Sequence, residues 1–500
     1  MRRYVALLLA SLLSLFLVAC GSGGASGSPA ATSSGTSNPG GDTNPGGTSN
    51  DSNGGGGTVN PPTPPSTPTP PSTPPPPAAT LQSVNHIVFM LQENRSFDSY
   101  FGQLNAYRAS LNLPQDADDL IKPSAPLNPN PTHDGSTCPN SPTGTCTVFK
   151  MKSGCIEDLS PSWNESHVDL TDNQSSTIRM NGFAYEAGGY AAHGGAGASI
   201  DVAGMRAMGY YDSTQLNYYY FMATQFATSD RWFSPLLAKS EPNHLFGLAG
   251  TSLGYIGVPT AQLPAPTIFN LLQKAGVTWK VYYTDINKSN GKPDTYVSYF
   301  SPMNSLMGNV VPLSQYFTDL ANGTLPQVAL IDAGRDSGRD EHPVNNIVPG
   351  VQAVESVLNA FMNSTAYNDG VFILTFDEGG GMYDHVPPMV SVNPDGIAPN
   401  LATDTSVLTT FGDNFTKSGF RVPLIVVSPW AKKGYISHAP ADYTAILKFI
   451  ETRFNLSSLT LRDAAQPDMT EYFDFAGVPN AAPPTPPVQA NMPCYYKTLP

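Results

Sequence analysis

Residues 371–388, VFILTFDEGGGMYDHVPP, contain the pattern from which the fold is predicted. The apolar run at 371–376 favours a short buried strand, because it is rich in β-branched and aromatic residues. The strand ends at Asp377-Glu378, and three glycines follow. Ligands of open α/β sheets bind just beyond the carboxyl ends of strands, where two buried carboxylates need a partner. A divalent cation with oxygen ligands meets that need, whereas the alternative is an acidic surface turn.

A second apolar run ends in the same way. Residues 86–91, HIVFML, predict a strand, and Glu93-Asn94 follow it. If the two strands are parallel neighbours, Glu93 and Asn94 lie beside Asp377 and Glu378 at one edge of the sheet. The other interpretation of Glu93-Asn94 is a helix cap after the strand.

The rest of the chain alternates predicted strands with predicted helices. Such alternation indicates an α/β fold with a mostly parallel sheet. The further strands are predicted at 277–283, 327–332 and 423–428, and the helices at 218–226, 267–275, 350–362 and 443–454.

The N-terminal region predicts export. Arg2-Arg3 precede an apolar run at 5–19 that is too short to span a bilayer comfortably, and the run ends at Cys20. This ending resembles the lipobox of bacterial lipoproteins, in which the cysteine is lipidated; the alternative is a plain secretory signal. We expect a signal peptide at 1–19 and a Gly/Ser/Pro-rich tether at 20–80. The globular domain is then 81–478, with a Pro-rich tail at 479–500.

Charge and cysteine content narrow the function classes. The net charge is −14, which argues against nucleic-acid binding. After Cys20, the remaining cysteines are Cys138, Cys146, Cys155 and Cys494. Four cysteines in an exported chain predict two disulfides with three possible connectivities. No histidines stand at zinc-ligand spacing near the first three, so disulfides are preferred to a zinc site.

Ser240 is predicted to lie near the start of a helix. Pro242 suits the first turn, where its missing N–H costs nothing. Free backbone N–H groups at that position favour anions and nucleophiles that become anionic. The simpler interpretation is that Ser240 only caps the helix.

Six segments in a fixed order resemble one family. The resemblance is to the bacterial phosphoesterase family that contains acid phosphatases and phosphatidylcholine-type phospholipases C, and it spans nearly all of 81–475. It implies the three-layer α/β/α sandwich of the alkaline-phosphatase-like superfamily, a metal ion, and a Ser or Thr nucleophile. The segments are HIVFMLQENRSFDSYFG at 86–102, MGYY at 208–211, SEPN at 240–243, EHP at 341–343, TFDEGGGMYDHVPP at 375–388 and RVPLIVVSPWAKKG at 421–434.

The resemblance also implies roles for individual residues. It implies one divalent cation, such as Ca²⁺, Mg²⁺ or Mn²⁺. The chain departs from the family at Pro161, where a histidine often precedes Ser-Trp, and at Asn181-Gly182-Phe183, where Asp-Gly-Phe is commoner. The implied metal ligands are Glu93, Asn94, Asp377 and Glu378; the catalytic residues are Ser240, His342 and His385; and the substrate-binding residues are His167, Asn243 and Asp384.

We therefore expect an exported, metal-dependent phosphoric ester hydrolase that uses Ser240 as its nucleophile. Domain 81–478 would be its catalytic domain, and it would be phospholipase C-like or an acid phosphatase. The substrate would be a phospholipid head group or a small phosphomonoester, and Cys20 would anchor the chain to a membrane of the bacterial cell envelope unless it is secreted. The alternative is a non-catalytic metal-binding surface lipoprotein of the same fold.

Overall fold

The computed structural model describes residues 78–171, 178–194, 201–403 and 413–494. The strands in these ranges are β1 (His86–Gln92), β2 (Asn130–Pro131), β3 (Thr145–Cys146), β4 (Phe149–Lys150), β5 (Gly209–Tyr210), β6 (Ala227–Ser229), β7 (Trp232–Phe233), β8 (Trp279–Tyr283), β9 (Val310–Pro312), β10 (Val328–Asp332), β11 (Gly370–Phe376), β12 (Leu424–Val427), β13 (Tyr435–Ser437) and β14 (Ala441–Asp442). The α-helices are α1 (Phe97–Phe101), α2 (Leu104–Ser110), α3 (Trp163–Thr171), α4 (Phe183–Ala192), α5 (Asn217–Gln225), α6 (Ser240–Ala249), α7 (Ile268–Ala275), α8 (Leu313–Asn322), α9 (Ile347–Met362), α10 (Ala445–Phe454) and α11 (Leu461–Ala464). Short 3₁₀ helices lie at Leu81–Ser83, Met205–Met208, Tyr296–Tyr299, Ser301–Asn309, Thr365–Asp369, Leu401–Thr403 and Thr470–Tyr472.

An eight-stranded sheet forms the centre of the fold. Its strand order is β13-β6-β12-β11-β1-β10-β8-β9. Only β12 runs antiparallel to its neighbours, and every other adjacent pair in this sheet is parallel. The central strands β10 and β11 are buried along their whole length, which is why their sequences are apolar without alternation.

Helices cover both faces of this sheet. On β1, Phe89 packs against Phe269 of α7, with 6.4 Å between ring centroids. Phe372 of β11 pairs in register with Val88, so it points to the opposite face from Phe89. There it contacts Phe361 of α9, at 5.7 Å between centroids. The three-layer α/β/α fold predicted from the sequence is therefore confirmed.

The turn after β11 brings the two acidic strand ends together. β1 and β11 are adjacent and parallel, and their last residues pair in register as Gln92 with Phe376. Gly380 has a φ of 68°, a conformation that glycine adopts without cost. A Cβ at this position would lie 2.3 Å from the carbonyl oxygen of Asn94, so only glycine fits.

The elements predicted from the sequence are all present, with ends that shift by at most three residues.

The two disulfides are Cys138–Cys146 and Cys155–Cys494, so disulfides rather than a zinc site are confirmed. The predicted signal peptide, Cys20 and all of the tether except its last three residues lie outside the described residues. Within the described ranges, no helix has the length and apolar character needed to cross a membrane.

Candidate active site

The four predicted metal ligands meet beyond the carboxyl ends of β1 and β11. Asn94 has a left-handed backbone, with φ of 62°, and its N–H donates to Asp377 Oδ1 at 2.8 Å. Its side-chain amide donates to Glu378 Oε1. All four residues, including Glu93, are at most 2% exposed. The structure thus places the predicted set at one buried point, although Asn94 and Glu378 bond to each other there.

Ser240 reaches this point from α6, of which it is the first residue. Its Oγ donates to Glu93 Oε2 at 2.9 Å and lies 3.4 Å from Asn94 Oδ1. Pro242 lies in the first turn, as the sequence predicts. The hydroxyl is therefore placed between the acidic cluster and the free N–H groups of a helix N-terminus.

A cleft of about 280 Å³ opens beside Ser240. His342 is half-buried in its wall, and the ring Nδ1 lies 2.8 Å from the carbonyl oxygen of Pro343. A carbonyl oxygen only accepts, so Nδ1 carries the proton of the neutral ring and Nε2 is the basic nitrogen. The lining residues are Asn94, Asp158, Leu159, Ser160, Pro161, Ser162, Tyr190, Lys239, Ser240, Glu241 and His342.

The charges at this point are unbalanced without a cation. Burial raises the pKa of Asp377 well above its usual range, and the charges of Glu93 and Glu378 add to this. Burial also opposes ionisation of Glu93. The hydrogen bond from His244 and the positive charge of His244 outweigh burial, so the pKa of Glu93 is lowered. Three carboxylates, those of Glu93, Asp377 and Glu378, lie close together and repel one another when ionised, so the site favours a bound cation.

The donor atoms also fit a metal ion. Ligand atoms of Glu93, His244 and Asp377 lie within 4.8 Å of one another, and all three residues are buried. Asp377 Oδ2 has no hydrogen-bond partner among the described residues. An unpaired buried carboxylate oxygen is costly, so these residues could hold a metal ion.

Comparison with known proteins identifies the family. A model of the phosphoesterase family matches residues 84–457. The chain belongs to the phosphoesterase family. The prediction of a phosphoric ester hydrolase is thereby confirmed at the level of the family.

The curated relatives of this phosphoesterase are named as phospholipases C. The non-specific phospholipase C1 of Arabidopsis thaliana is 28% identical over 420 residues, which cover 78% of this chain and 71% of that protein. Phospholipase C B of Mycobacterium tuberculosis is 27% identical over 445 residues, or 81% of this chain and 80% of that one. The hemolytic phospholipase C of Pseudomonas aeruginosa is 27% identical over 80% of this chain, which spans only 57% of that protein.

Solved structures also align with the phosphoesterase. A protein in the alkaline phosphatase superfamily from Vibrio parahaemolyticus covers 73% of this chain and 78% of its own, with 12% identity and a TM-score of 0.30. A lipoteichoic acid synthase from Listeria monocytogenes covers 72% and 79%, with 9% identity and a TM-score of 0.32. The fold assignment rests on the strand order and directions given above.

The structure does not bring His385 and Asp384 of this phosphoesterase into the cleft. His385 is fully buried, with Nδ1 2.7 Å from Asp98 and Nε2 2.9 Å from Asp118. Burial opposes its charge, but the Asp98 charge and the two hydrogen bonds raise its pKa to about 9. Asp384 is buried too and pairs with Arg421 at 2.9 Å. Both ring nitrogens and the carboxylate are thus bonded within a buried ion cluster. The catalytic role of His385 and the substrate-binding role of Asp384 stay predictions.

His167 and Asn243 also lie outside the cleft, and their roles in substrate binding stay predictions. His167 is buried on α3, where Nδ1 contacts the carbonyl oxygen of Trp163 at 2.6 Å and Nε2 lies 3.7 Å from Asp413. Asn243 is buried and bonds only to backbone atoms of the loop before α6, accepting from Leu236 N at 2.9 Å and donating to Ala238 O at 2.6 Å. Neither residue lines the cleft, and Asn243 instead holds the loop that presents Ser240.

The sequence prediction missed His244. Its spacing of four residues from Ser240 on a predicted helix puts both side chains on one face, so this signal was available. The prediction also missed Tyr296, which donates to Glu93 Oε1 at 3.0 Å. No local pattern marks Tyr296, because it comes from a 3₁₀ helix 203 residues after Glu93.

Proposed function

We propose that this protein is an exported, metal-dependent phosphoric ester hydrolase of the phospholipase C type, with Ser240 as nucleophile. The observation that carries the proposal is the placement of Ser240. Its Oγ lies 2.9 Å from Glu93, at the start of α6 and in the wall of the same cleft as His342. The proposed nucleophile Ser240, the acidic cluster around Glu93 and the proposed proton-transfer residue His342 thus border the same cleft.

The surroundings of Ser240 support attack on phosphorus. The ionised Glu93 accepts the hydrogen bond from the Ser240 hydroxyl and thereby orients its oxygen. Free N–H groups in the first turn of α6 favour negative charge on that oxygen and on the phosphoryl group. A divalent cation held by Glu93 and Asp377 would lower the pKa of the hydroxyl and offset phosphoryl charge.

The reaction proceeds in two steps. Ser240 Oγ bonds to phosphorus as the bond from phosphorus to the leaving oxygen breaks, and the hydroxyl proton passes to Glu93, which already accepts its hydrogen bond. Protonated His342 gives its proton to the leaving oxygen. This releases an alcohol, for a phospholipid a diacylglycerol, and leaves a phosphorylated Ser240 that still carries the head group when the substrate is a diester. Water then attacks phosphorus, His342 takes the water proton, and Ser240 is released as its oxygen takes back the proton held by Glu93.

The names of the relatives favour a diester substrate over a monoester. The cleft wall carries both signs of charge, on Lys239, Glu241 and Asp158. A zwitterionic head group can pair with residues of both charges in such a wall. A simple phosphomonoester carries only negative charge, so it would pair only with the positive groups. Acid phosphatase activity is the second candidate, since the same groups act on monoesters.

The test is hydrolysis of p-nitrophenylphosphorylcholine and of p-nitrophenyl phosphate, each with and without EDTA. We expect EDTA-sensitive release from the diester. Release from the monoester alone would replace phospholipase C with phosphatase. Silence on both, in folded protein supplied with divalent cations, would overturn the proposal in favour of a non-catalytic surface lipoprotein.

Ser240→Ala should lower kcat by at least about a thousandfold, because the attacking oxygen is lost. The matched control is Ser314→Ala, an exposed serine in the first turn of α8, which should keep full activity. Turnover retained by Ser240→Ala would remove this serine from the mechanism.

Export and anchoring through Cys20 form a separate part of the proposal. The charged n-region, the apolar run and the lipobox-like ending support it. Cys20→Ala should abolish incorporation of labelled palmitate during expression in bacteria. Incorporation that persists in this variant would exclude Cys20 as the anchor.

A further inference from the structure

His244 lies where it can contribute a ligand to the acidic cluster. It follows Ser240 by one helical turn on α6. Its Nε2 is 3.1 Å from Glu93 Oε1 and 3.8 Å from Asp377 Oδ2. Nε2 therefore faces two carboxylate oxygens at once, in a buried space.

Neighbouring residues fix the orientation of the imidazole. The Tyr296 ring stacks on it, with 3.6 Å between centroids and 8° between planes. The Tyr296 hydroxyl donates to Glu93 Oε1, the same oxygen that faces His244 Nε2. The Arg335 guanidinium lies 4.6 Å from the Tyr296 ring and 2.6 Å from Asp294. The stacked ring and the shared Glu93 oxygen therefore hold the imidazole and the carboxylate in a fixed relation to each other.

The second independent observation is the orphan oxygen of Asp377. This residue is fully buried, and its Oδ2 has no hydrogen-bond partner in the described part of the chain. Oδ2 lies 3.8 Å from His244 Nε2, a separation too long for a hydrogen bond. A bound cation would supply the partner that Asp377 Oδ2 lacks, with the neutral His244 ring turning the lone pair of Nε2 to the cation in place of its hydrogen bond to Glu93.

We propose that His244 binds the cation through Nε2, together with the carboxylates of Glu93 and Asp377. One nitrogen and carboxylate oxygens suit a borderline cation such as Zn²⁺ better than Ca²⁺ or Mg²⁺, which prefer oxygen alone. This assignment departs from the Ca²⁺, Mg²⁺ or Mn²⁺ expected from the sequence, because it adds a nitrogen ligand. It rests on the proposed function only in that the active site binds a cation.

The test is pulsed EPR of the tag-free full-length protein loaded with one equivalent of Mn²⁺. We expect spin-echo modulation from a coordinated ¹⁴N, which should change to the ¹⁵N pattern when the protein is labelled with ¹⁵N-histidine. No nitrogen coupling in the Mn²⁺-loaded protein, or no binding of either Mn²⁺ or Zn²⁺, would overturn the inference. This measurement needs no variant, so it does not depend on how a substitution folds.

Variants then identify the histidine. His244→Gln should lose the nitrogen coupling and weaken Zn²⁺ binding in calorimetric titration by at least about tenfold, with a much smaller change for Ca²⁺. The matched control, His342→Gln, should keep the coupling. Coupling retained in His244→Gln and lost in His342→Gln would overturn the inference.

The two proposals fail in different ways. Nitrogen coupling in a protein that hydrolyses neither ester would sink the proposed function and leave the His244 ligand in place. EDTA-sensitive hydrolysis by a protein without nitrogen coupling would support the proposed function and reject His244 as a ligand.

Discussion

At the scale of the residue, Glu341 sets the position of the cleft histidine that follows it. Its carboxyl is fully buried and accepts hydrogen bonds from Tyr100, Tyr219 and, at 3.0 Å, Gln92. Its backbone has a φ of 73°. A Cβ on Gly350 would lie 2.2 Å from Glu341 Cγ, so the carboxyl occupies a closely fitted space. The backbone of His342 is therefore tied to a buried anchor.

Glu341 predicts a pH dependence of stability. Burial raises its pKa from an ordinary 4.5 to about 7, although the hydrogen bonds from Tyr100, Tyr219 and Gln92 oppose the rise. Between these values the folded protein keeps a proton that the unfolded chain releases, so stability falls as pH rises through this window. The advantage of wild type over Glu341→Gln should shrink by about 3 kcal/mol from pH 4.5 to 7.5 in urea unfolding. If the free energy of unfolding changed with pH in the same way in wild type and Glu341→Gln, a buried proton on Glu341 would be excluded.

At the scale of the element, α6 depends on Asn243 for the position of its first residue. The Asn243 amide satisfies three backbone carbonyls of residues 236–239. Asn243→Ala leaves these groups without their partner, at a cost of about 1–3 kcal/mol. It should also lower kcat by at least about tenfold with a smaller change in KM, because Ser240 shifts from its attacking position.

A matched control separates this effect from a general loss of stability. Asn363 donates to the carbonyl oxygen of Asn359 at 2.8 Å, after α9 and shortly before β11 begins. That position is at the opposite end of β11 from the site. Asn363→Ala should change kcat little, and an equal fall in both variants would refute a positioning role for Asn243.

The elements explain what the sequence could predict. β1 and β11 are buried on both faces, so their apolar runs and acidic ends are local patterns that a reader of the sequence can find. Which side chains then meet is a property of packing. The sequence places His385 next to Asp384, but not beside Arg421, which comes from another loop. The hydrogen bonds between Asn243 and backbone atoms of residues 236–239 are likewise a result of packing that no local sequence pattern indicates.

At the scale of the whole molecule, a disulfide encloses the described chain from residue 155 to residue 494 in one loop. Cys155–Cys494 spans 339 residues, and Cys155 lies shortly before the cleft-lining residues 158–162. Gln489 donates to the carbonyl oxygen of Gln215 next to α5, so the C-terminal segment packs on the fold before it reaches Cys155. This segment therefore links α5 to the wall of the cleft.

Loop length predicts that the two disulfides contribute unequally to stability. In the chain-entropy model, closing a loop of 339 residues stabilises the fold by about 6 kcal/mol, and closing one of eight residues by about 2.5 kcal/mol. The double variant Cys155→Ser/Cys494→Ser should therefore lose more stability than Cys138→Ser/Cys146→Ser in urea unfolding. Cys138, Cys146 and Cys155 are buried and Cys494 is exposed, so burial alone would make the Cys138→Ser/Cys146→Ser variant lose more stability, the opposite of the order expected from loop length. An equal loss in the two would mean that local packing, rather than chain closure, sets the contribution of Cys155–Cys494.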